Sequence, residues 1–128
     1  MSWYLSHETL EVYRLAFDAS MQILDVSRGF PASVSILFSD QIKRSSRSVC
    51  HHISEAMRHR NHQTIFLHRL AIAKAEAEET MRWIKQAVAK EYVSIDTAAR
   101  LYSSYNSVVE KLIGLLTRPT PQVLRKVA

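Results

Sequence analysis

Residues that form turns are scarce in this chain, which has only two glycines and three prolines among 128 residues. Tight turns, hairpins and phosphate-binding loops depend on glycine and proline, so their rarity favours a few long helices. Apolar residues make up 47% of the chain and charged residues 23%, as in ordinary globular domains. We therefore expect residues 1–128 to form a single helical domain.

Apolar residues recur at helical spacing in four segments of the sequence. Ser6 and Ser94 are positioned to cap the first and the fourth segment, and Gly29 and Pro31 end the first. The pattern predicts helices over about 7–28, 35–60, 63–90 and 95–117, followed by a short basic tail, 118–128. Long helices with short connections indicate an all-α fold, an antiparallel up-down-up-down four-helix bundle.

The first and the fourth predicted helices each carry two apolar stripes. A helix on the outside of a small monomer needs only one stripe, which faces the core. The stripes of the first helix are Leu10, Tyr13, Phe17 and Leu24, and Val12, Ala16, Ala19, Ile23 and Val26. Because the second stripe needs a cover, we expect the chain to form a homo-oligomer.

A basic stretch in the second predicted helix is the main candidate for a binding surface. The formal net charge of the chain is +5. Lys43, Arg44, Arg47 and Arg58 fall on the side of this helix away from its apolar residues, and Arg60 extends the row. Such side chains bind phosphates through charge-assisted hydrogen bonds, so the pattern predicts binding of RNA or DNA. Two alternatives remain: a solvated helix face, or a surface that docks an acidic protein.

Catalytic and metal-binding alternatives are weaker. His52, Glu55 and His59 lie at i, i+3 and i+7, on one side of a helix, and imidazole and carboxylate groups suit divalent transition metals. That spacing matches no compact zinc motif. A ferritin-like di-metal bundle would need Glu-x-x-His pairs on two helices, and the sequence does not supply them. Cys50 and His51 are adjacent and point about 100° apart on a helix, which does not suit a catalytic pair. We expect a non-enzymatic protein without a metal or other cofactor.

The sequence also indicates a compartment. Its single cysteine, Cys50, excludes an intrachain disulfide and fits a reducing environment. The first residues lack the pattern of a secretory signal, and no apolar run approaches the roughly 18 residues that a membrane span needs. We expect a cytoplasmic protein that does not enter a membrane.

Several motifs resemble a known family. Phe30-Pro31, followed by QIKRSSRSVCHHISEA, resembles the "FP … QIRRAxxSIxxNIAEG" signature of the four helix bundle proteins, also called the 23S ribosomal RNA intervening-sequence protein family. ETLEVYRLA, FLHRLAIAKAEAEE and YVSIDTA are similar to that family's "LxVWQxA", "FLxIAxGSxxE" and "GYIxxEE". The likeness spans about residues 8–117. This chain departs from the pattern at Cys50 (family proline), His52 (asparagine), Ala56 (glycine) and Ala75-Glu76 (glycine-serine).

The resemblance implies an antiparallel four-helix bundle that assembles into a five-fold ring. It also implies kinship with the accessory variability determinant of diversity-generating retroelements, a basic pentamer that works with a reverse transcriptase and binds nucleic acid. For most members of the family it brings no established biochemical activity. The leading hypothesis is a homopentamer that binds RNA or DNA; the alternative is a scaffold that docks an acidic protein such as a reverse transcriptase.

Overall fold

The structure, a computed structural model, describes residues 3–34 and 36–117, with side chains from His7 onward. These residues form four helices and no strand: α1 (Trp3–Arg28), α2 (Ile36–Arg58), α3 (Gln63–Ala89) and α4 (Ile95–Thr117). Each helix contacts the next one, and α1 also contacts α4, so that all four surround one core. The predicted all-α four-helix fold is confirmed. The predicted basic tail, 118–128, lies outside the described residues.

The helix ends agree with the sequence pattern at some places and differ at others. Ser94 caps α4 as predicted, because its Oγ accepts a hydrogen bond of 3.2 Å from the Thr97 amide. The first helix begins at Trp3 rather than near residue 7, since no glycine or proline before Ser6 interrupts it. The second ends at Arg58 rather than near 60, because the amides beyond it bond to carbonyls three residues back in a tighter turn.

Helices α1 and α4 each carry two apolar stripes, and the core buries them to different extents. On α1, the stripe of Val12, Ala16, Ala19 and Ile23 is buried, whereas Leu10 and Phe17 of the other stripe are 38% and 46% exposed. On α4, residues of both stripes are buried: Ala98, Leu101, Tyr105, Val108, Val109, Leu112 and Leu115. The expectation that a second stripe needs a cover therefore holds for α1, and for the stripes of α4 it was wrong because the core buries them. Fully buried alanines on its two neighbours leave room for the larger side chains of α4.

Small polar side chains join α2 to α3 inside the bundle. Ser45 and Thr80 are both fully buried, and their hydroxyl oxygens lie 2.8 Å apart. The carbonyls of Ile42 and Glu76 also lie within hydrogen-bond distance of these hydroxyls, at 3.2 and 2.9 Å. These two buried hydroxyl groups are thus paired, and the two helices can approach closely at this level.

An aromatic cluster closes the core near the start of α2. The ring of Phe38 packs edge-on against Trp83 and Tyr92, with both centroid distances 5.2 Å, and Phe30 lies 6.0 Å from Phe38. These rings join α3, and the residues that follow α1 and α3, to the first turn of α2.

No helix in the described part of the chain combines the length and the apolar character that a membrane crossing requires.

A left-handed residue ends α3. The amide of Tyr92 bonds to the carbonyl of Ala87 at 2.8 Å, and the amide of Glu91 bonds to that of Val88 at 2.9 Å. This pair of bonds is a Schellman motif, which places Glu91 in the left-handed region with a φ of 60°. A residue with a Cβ is strained there, and glycine is not.

We expect Glu91→Gly to raise the free energy of unfolding by about 1 kcal/mol, because relief of the left-handed strain exceeds the entropy that glycine adds to the unfolded chain. Glu110→Gly is the matched control, since Glu110 lies exposed inside α4, where glycine costs about 1 kcal/mol. Urea unfolding at a fixed protein concentration measures both. Destabilisation by Glu91→Gly would contradict the assigned strain.

Candidate nucleic-acid interface

The buried side of α2 determines where its cations lie. Ile42, Val49 and Ile53 are buried against the other helices. Successive residues of a helix turn by about 100°, so four cations fall within an arc of about 100° on the opposite side. We call this arc the cation face; it consists of Lys43, Arg44, Arg47 and Arg58. The predicted division of α2 into an apolar and a basic side therefore agrees with the structure.

Three residues of the cation face are paired with carboxylates. Arg44 lies 3.5 Å from Glu76 of α3, Arg58 lies 3.3 Å from Glu55, and Lys43 lies 4.0 Å from Asp40. The side chains of Arg44 and Arg58 are 51% and 73% exposed. Exposed ion pairs of this kind contribute only about 0–1 kcal/mol, so a phosphate can compete for these guanidinium groups.

The remaining basic residues of this region lie apart from that arc. Arg60 is exposed in the turn after α2, where its guanidinium donates a hydrogen bond of 3.0 Å to the Met57 carbonyl. It thus stands beyond the end of the helix rather than in line with the face. Arg69 of α3 is half-buried, and its Nη1 lies 3.0 Å from Nδ1 of His52.

The structure does not bring His52, Glu55 and His59 together as a ligand set. Nδ1 of His59 bonds to the backbone carbonyl of Glu55 at 2.9 Å, while the Glu55 carboxylate pairs with Arg58. His52 is engaged by Arg69. Among the described residues, no group of three or more His, Cys, Asp or Glu side chains is arranged to hold a metal ion.

Cys50 faces α1 rather than a histidine. Its thiol is half-buried and lies 3.8 Å from the hydroxyl oxygen of Ser20. Burial raises the pKa of Cys50, which favours the protonated thiol over the reactive thiolate. The ring of His51 instead packs edge-on against His52, with centroids 5.1 Å apart. The neighbourhood of Cys50 is that of a packed side chain.

A groove between α1 and α2 was not foreseen from the sequence. It has a volume of about 310 Å³, and Tyr13, Phe17 and Met21 border it from α1 while Lys43 and Arg47 border it from α2. The sequence pattern placed the aromatic residues in a stripe for subunit contact and the cations on a separate face. Only the packing of α1 against α2 puts them side by side.

Partial burial is the largest of the influences that lower the pKa of His52, and the positive charges of His51 and Arg69 lower it further. Glu76 and Glu55 act in the opposite direction. The neutral ring is therefore favoured in the folded protein, and its Nδ1 can accept a hydrogen bond from Arg69.

A lowered pKa in the folded state means that the unfolded chain binds a proton at His52 more readily. We therefore expect the free energy of unfolding to fall as the pH drops below roughly 6.5, the ordinary histidine value. His52→Asn should make this fall shallower, because it removes the titrating ring. Urea unfolding between neutral pH and about pH 5 measures it. Identical pH profiles for the wild type and His52→Asn would contradict the assignment.

Comparisons with known proteins agree with this architecture. The family model for the 23S rRNA-intervening sequence protein matches residues 8–114. A crystal structure of a protein of unknown function from the S23 ribosomal protein family of Bacteroides thetaiotaomicron is similar, with a TM-score of 0.80 and 21% sequence identity. That match covers 87% of this chain and 99% of the other, and at this identity it shows the fold alone. No curated protein sequence matches the chain. On the extent of the family match, this chain belongs to the 23S rRNA-intervening sequence protein family.

Proposed function

We propose that this chain is a non-enzymatic, cytoplasmic, homo-oligomeric four-helix bundle that binds RNA or DNA through the cation face and Arg60. The supporting observation is the exposure of Arg44, Arg47 and Arg58 along one side of α2. Their arc extends from residue 43 to residue 58, which is about 22 Å of helix at 1.5 Å per residue. Several phosphates of one nucleic-acid strand can be contacted over such a length.

We infer an antiparallel up-down-up-down bundle from the residues that meet. Ser45 of α2 contacts Thr80 of α3, and His52, later in α2, contacts Arg69, earlier in α3. These two helices therefore run in opposite directions. The short connections after α1 and α3 favour the same arrangement for the other pairs. In such a bundle the side formed by α1 and α2 lies opposite the side formed by α3 and α4.

The α3–α4 side supports the proposed subunit contact. A groove of about 620 Å³ lies between these helices and is bordered by Ile84, Val88, Ile95 and Ala99. Ile95, at the start of α4, is 74% exposed. Exposed apolar surface of this kind is commonly covered by another subunit, and contact between two different surfaces generates rings.

Five subunits is the number that the family resemblance implies. Contact through the α3–α4 groove leaves the cation face accessible and repeats it around the ring. Repetition turns weak phosphate contacts into a multivalent surface, with the formal charge of +5 present on every subunit. Phosphate contacts position a protein without reading bases, so binding should be only weakly sequence-specific.

We expect the double variant Arg44→Glu, Arg47→Glu to weaken binding of a labelled structured RNA at least tenfold at low salt, because phosphate contacts become repulsions. The control is Arg28→Glu, Arg100→Glu, which changes the net charge equally at exposed arginines elsewhere. Fluorescence anisotropy at two salt concentrations measures both, and circular dichroism checks that helicity is kept.

Absence of RNA and DNA binding by the wild type, or an affinity that does not fall with salt, would refute the proposal. An equal loss in both double variants would show that net charge acts rather than the cation face. Capture of an acidic protein by material that binds no nucleic acid would favour the scaffold alternative.

Light scattering should give a mass of five times the 14.7 kDa chain. Ala99→Arg places a charge in the α3–α4 groove and should lower this mass, because a subunit contact cannot bury an unpaired cation without a large desolvation cost. Ala75→Arg, at an exposed alanine of α3 outside that groove, is the control and should leave the mass unchanged. A wild-type mass near that of one chain would contradict the proposed oligomer.

A further inference from the structure

The groove between α1 and α2 combines aromatic surface with positive charge. Phe17 is 46% exposed, and its ring stacks on that of Tyr13 with centroids 6.3 Å apart and planes inclined by 23°. Met21, 48% exposed, continues this wall. A partly open wall of this kind offers flat apolar surface to a planar molecule.

Two cations stand on the α2 side of the same groove. Lys43 and Arg47 are one helical turn apart, and both border the cavity. Among the residues that the structure describes, no Asp or Glu side chain borders it, and the carboxylate of Asp40 lies 4.0 Å from Lys43 outside the cavity lining. The groove therefore favours a ligand that is anionic along one edge and aromatic along the other.

The bottom of the groove carries hydroxyl groups. Ser20 donates to the Phe17 carbonyl at 2.7 Å, and Ser46 donates to the Lys43 carbonyl at 2.9 Å. Their protons are thus used within the helices, the Ser20 oxygen accepts from the Cys50 thiol at 3.8 Å, and Ser46 is only 1% exposed. A ligand is therefore recognised by the aromatic and cationic sides of the groove.

We propose that this groove binds single-stranded RNA or DNA, with a base stacked on Phe17 and Tyr13 and the flanking phosphates on Lys43 and Arg47. The inference rests on the proposed nucleic-acid function and specifies the strandedness of its ligand. Single-strand binding proteins combine these two elements, a basic groove and aromatic side chains that stack on bases. In a duplex the bases already stack on each other, so the aromatic wall adds nothing to duplex binding.

A second copy of this chain fits the groove less well. Coverage by another subunit would bury Arg47 and the Lys43–Asp40 pair, and taking charges out of water is costly even when they are paired. The α3–α4 groove is larger, and its cation, Lys85, lies 5.3 Å from the centre of the Tyr102 ring. Subunit contact is therefore better placed there.

The test compares a labelled oligothymidylate with the duplex that it forms with oligoadenylate. Phe17→Ala should weaken binding of the single strand by at least about fivefold, the loss that follows removal of one stacking side chain. The salt dependence of the affinity should stay the same, because the cations remain. Leu10→Ala is the control, since Leu10 is a 38% exposed apolar residue of α1 that does not border the groove.

The outcomes distinguish failure of this inference from failure of the proposed function on which it rests. Single-strand affinity that is unchanged in Phe17→Ala, with Arg44→Glu, Arg47→Glu still defective, would overturn the stacking groove and leave nucleic-acid binding in place. An equal loss for the single strand and the duplex would also overturn it. A smaller oligomer on light scattering of Phe17→Ala would identify the groove as a subunit interface instead. Failure of the wild type to bind these two probes and the structured RNA would overturn both proposals.

Discussion

Burial of one side of α2 is the constraint on which the candidate interface depends. Val49, Ile53 and Ala56 are completely inaccessible to solvent. A helix that buries these positions must direct residues about 180° away toward water, and those residues are the lysine and the arginines of the cation face. The requirement for a packed core thus aligns the surface charge. The paired hydroxyls of Ser45 and Thr80 allow α3 to approach and hold this orientation.

The surplus apolar surface of α1 has a different consequence. The bundle buries Val12 and Ala16 but leaves Phe17 partly open beside Arg47. Neither residue alone indicates a ligand, since a phenylalanine suits a core and an arginine suits a solvated surface. Their proximity converts two ordinary features into a groove with aromatic and cationic sides. Such a groove suits a single-stranded nucleic acid better than a duplex.

Most of the fold could be predicted from spacing alone, because long amphipathic helices leave a strong periodic signal and the Ser94 cap is local. The placement of the candidate interface could be predicted in part, since the side of α2 on which Arg44 lies follows from helix geometry. Contacts between helices could not be predicted in this way. How the helices pack decides that Arg44 pairs with Glu76 and that Arg69 contacts His52. It also decides that the core buries the second stripe of α4.

Three positions where this chain departs from the family pattern have defined contacts in the structure. Glu76 stands where the quoted pattern has serine, and its carboxylate pairs with Arg44 of the signature segment. His52 replaces asparagine and is engaged by Arg69. Ala56 replaces glycine and is fully buried, so the added methyl group fills space in the core. The departures therefore adjust the polar contact between α2 and α3 and leave the exposed arginines in place.

The salt dependence of RNA affinity tests the central claim most directly, because each phosphate contact contributes a defined part of it. The slope of log affinity against log salt should be negative for the wild type. It should become less steep by roughly one for duplex nucleic acid when Arg47→Gln removes a single cation from the cation face. A slope that Arg47→Gln leaves unchanged would contradict a role for this face in nucleic-acid binding.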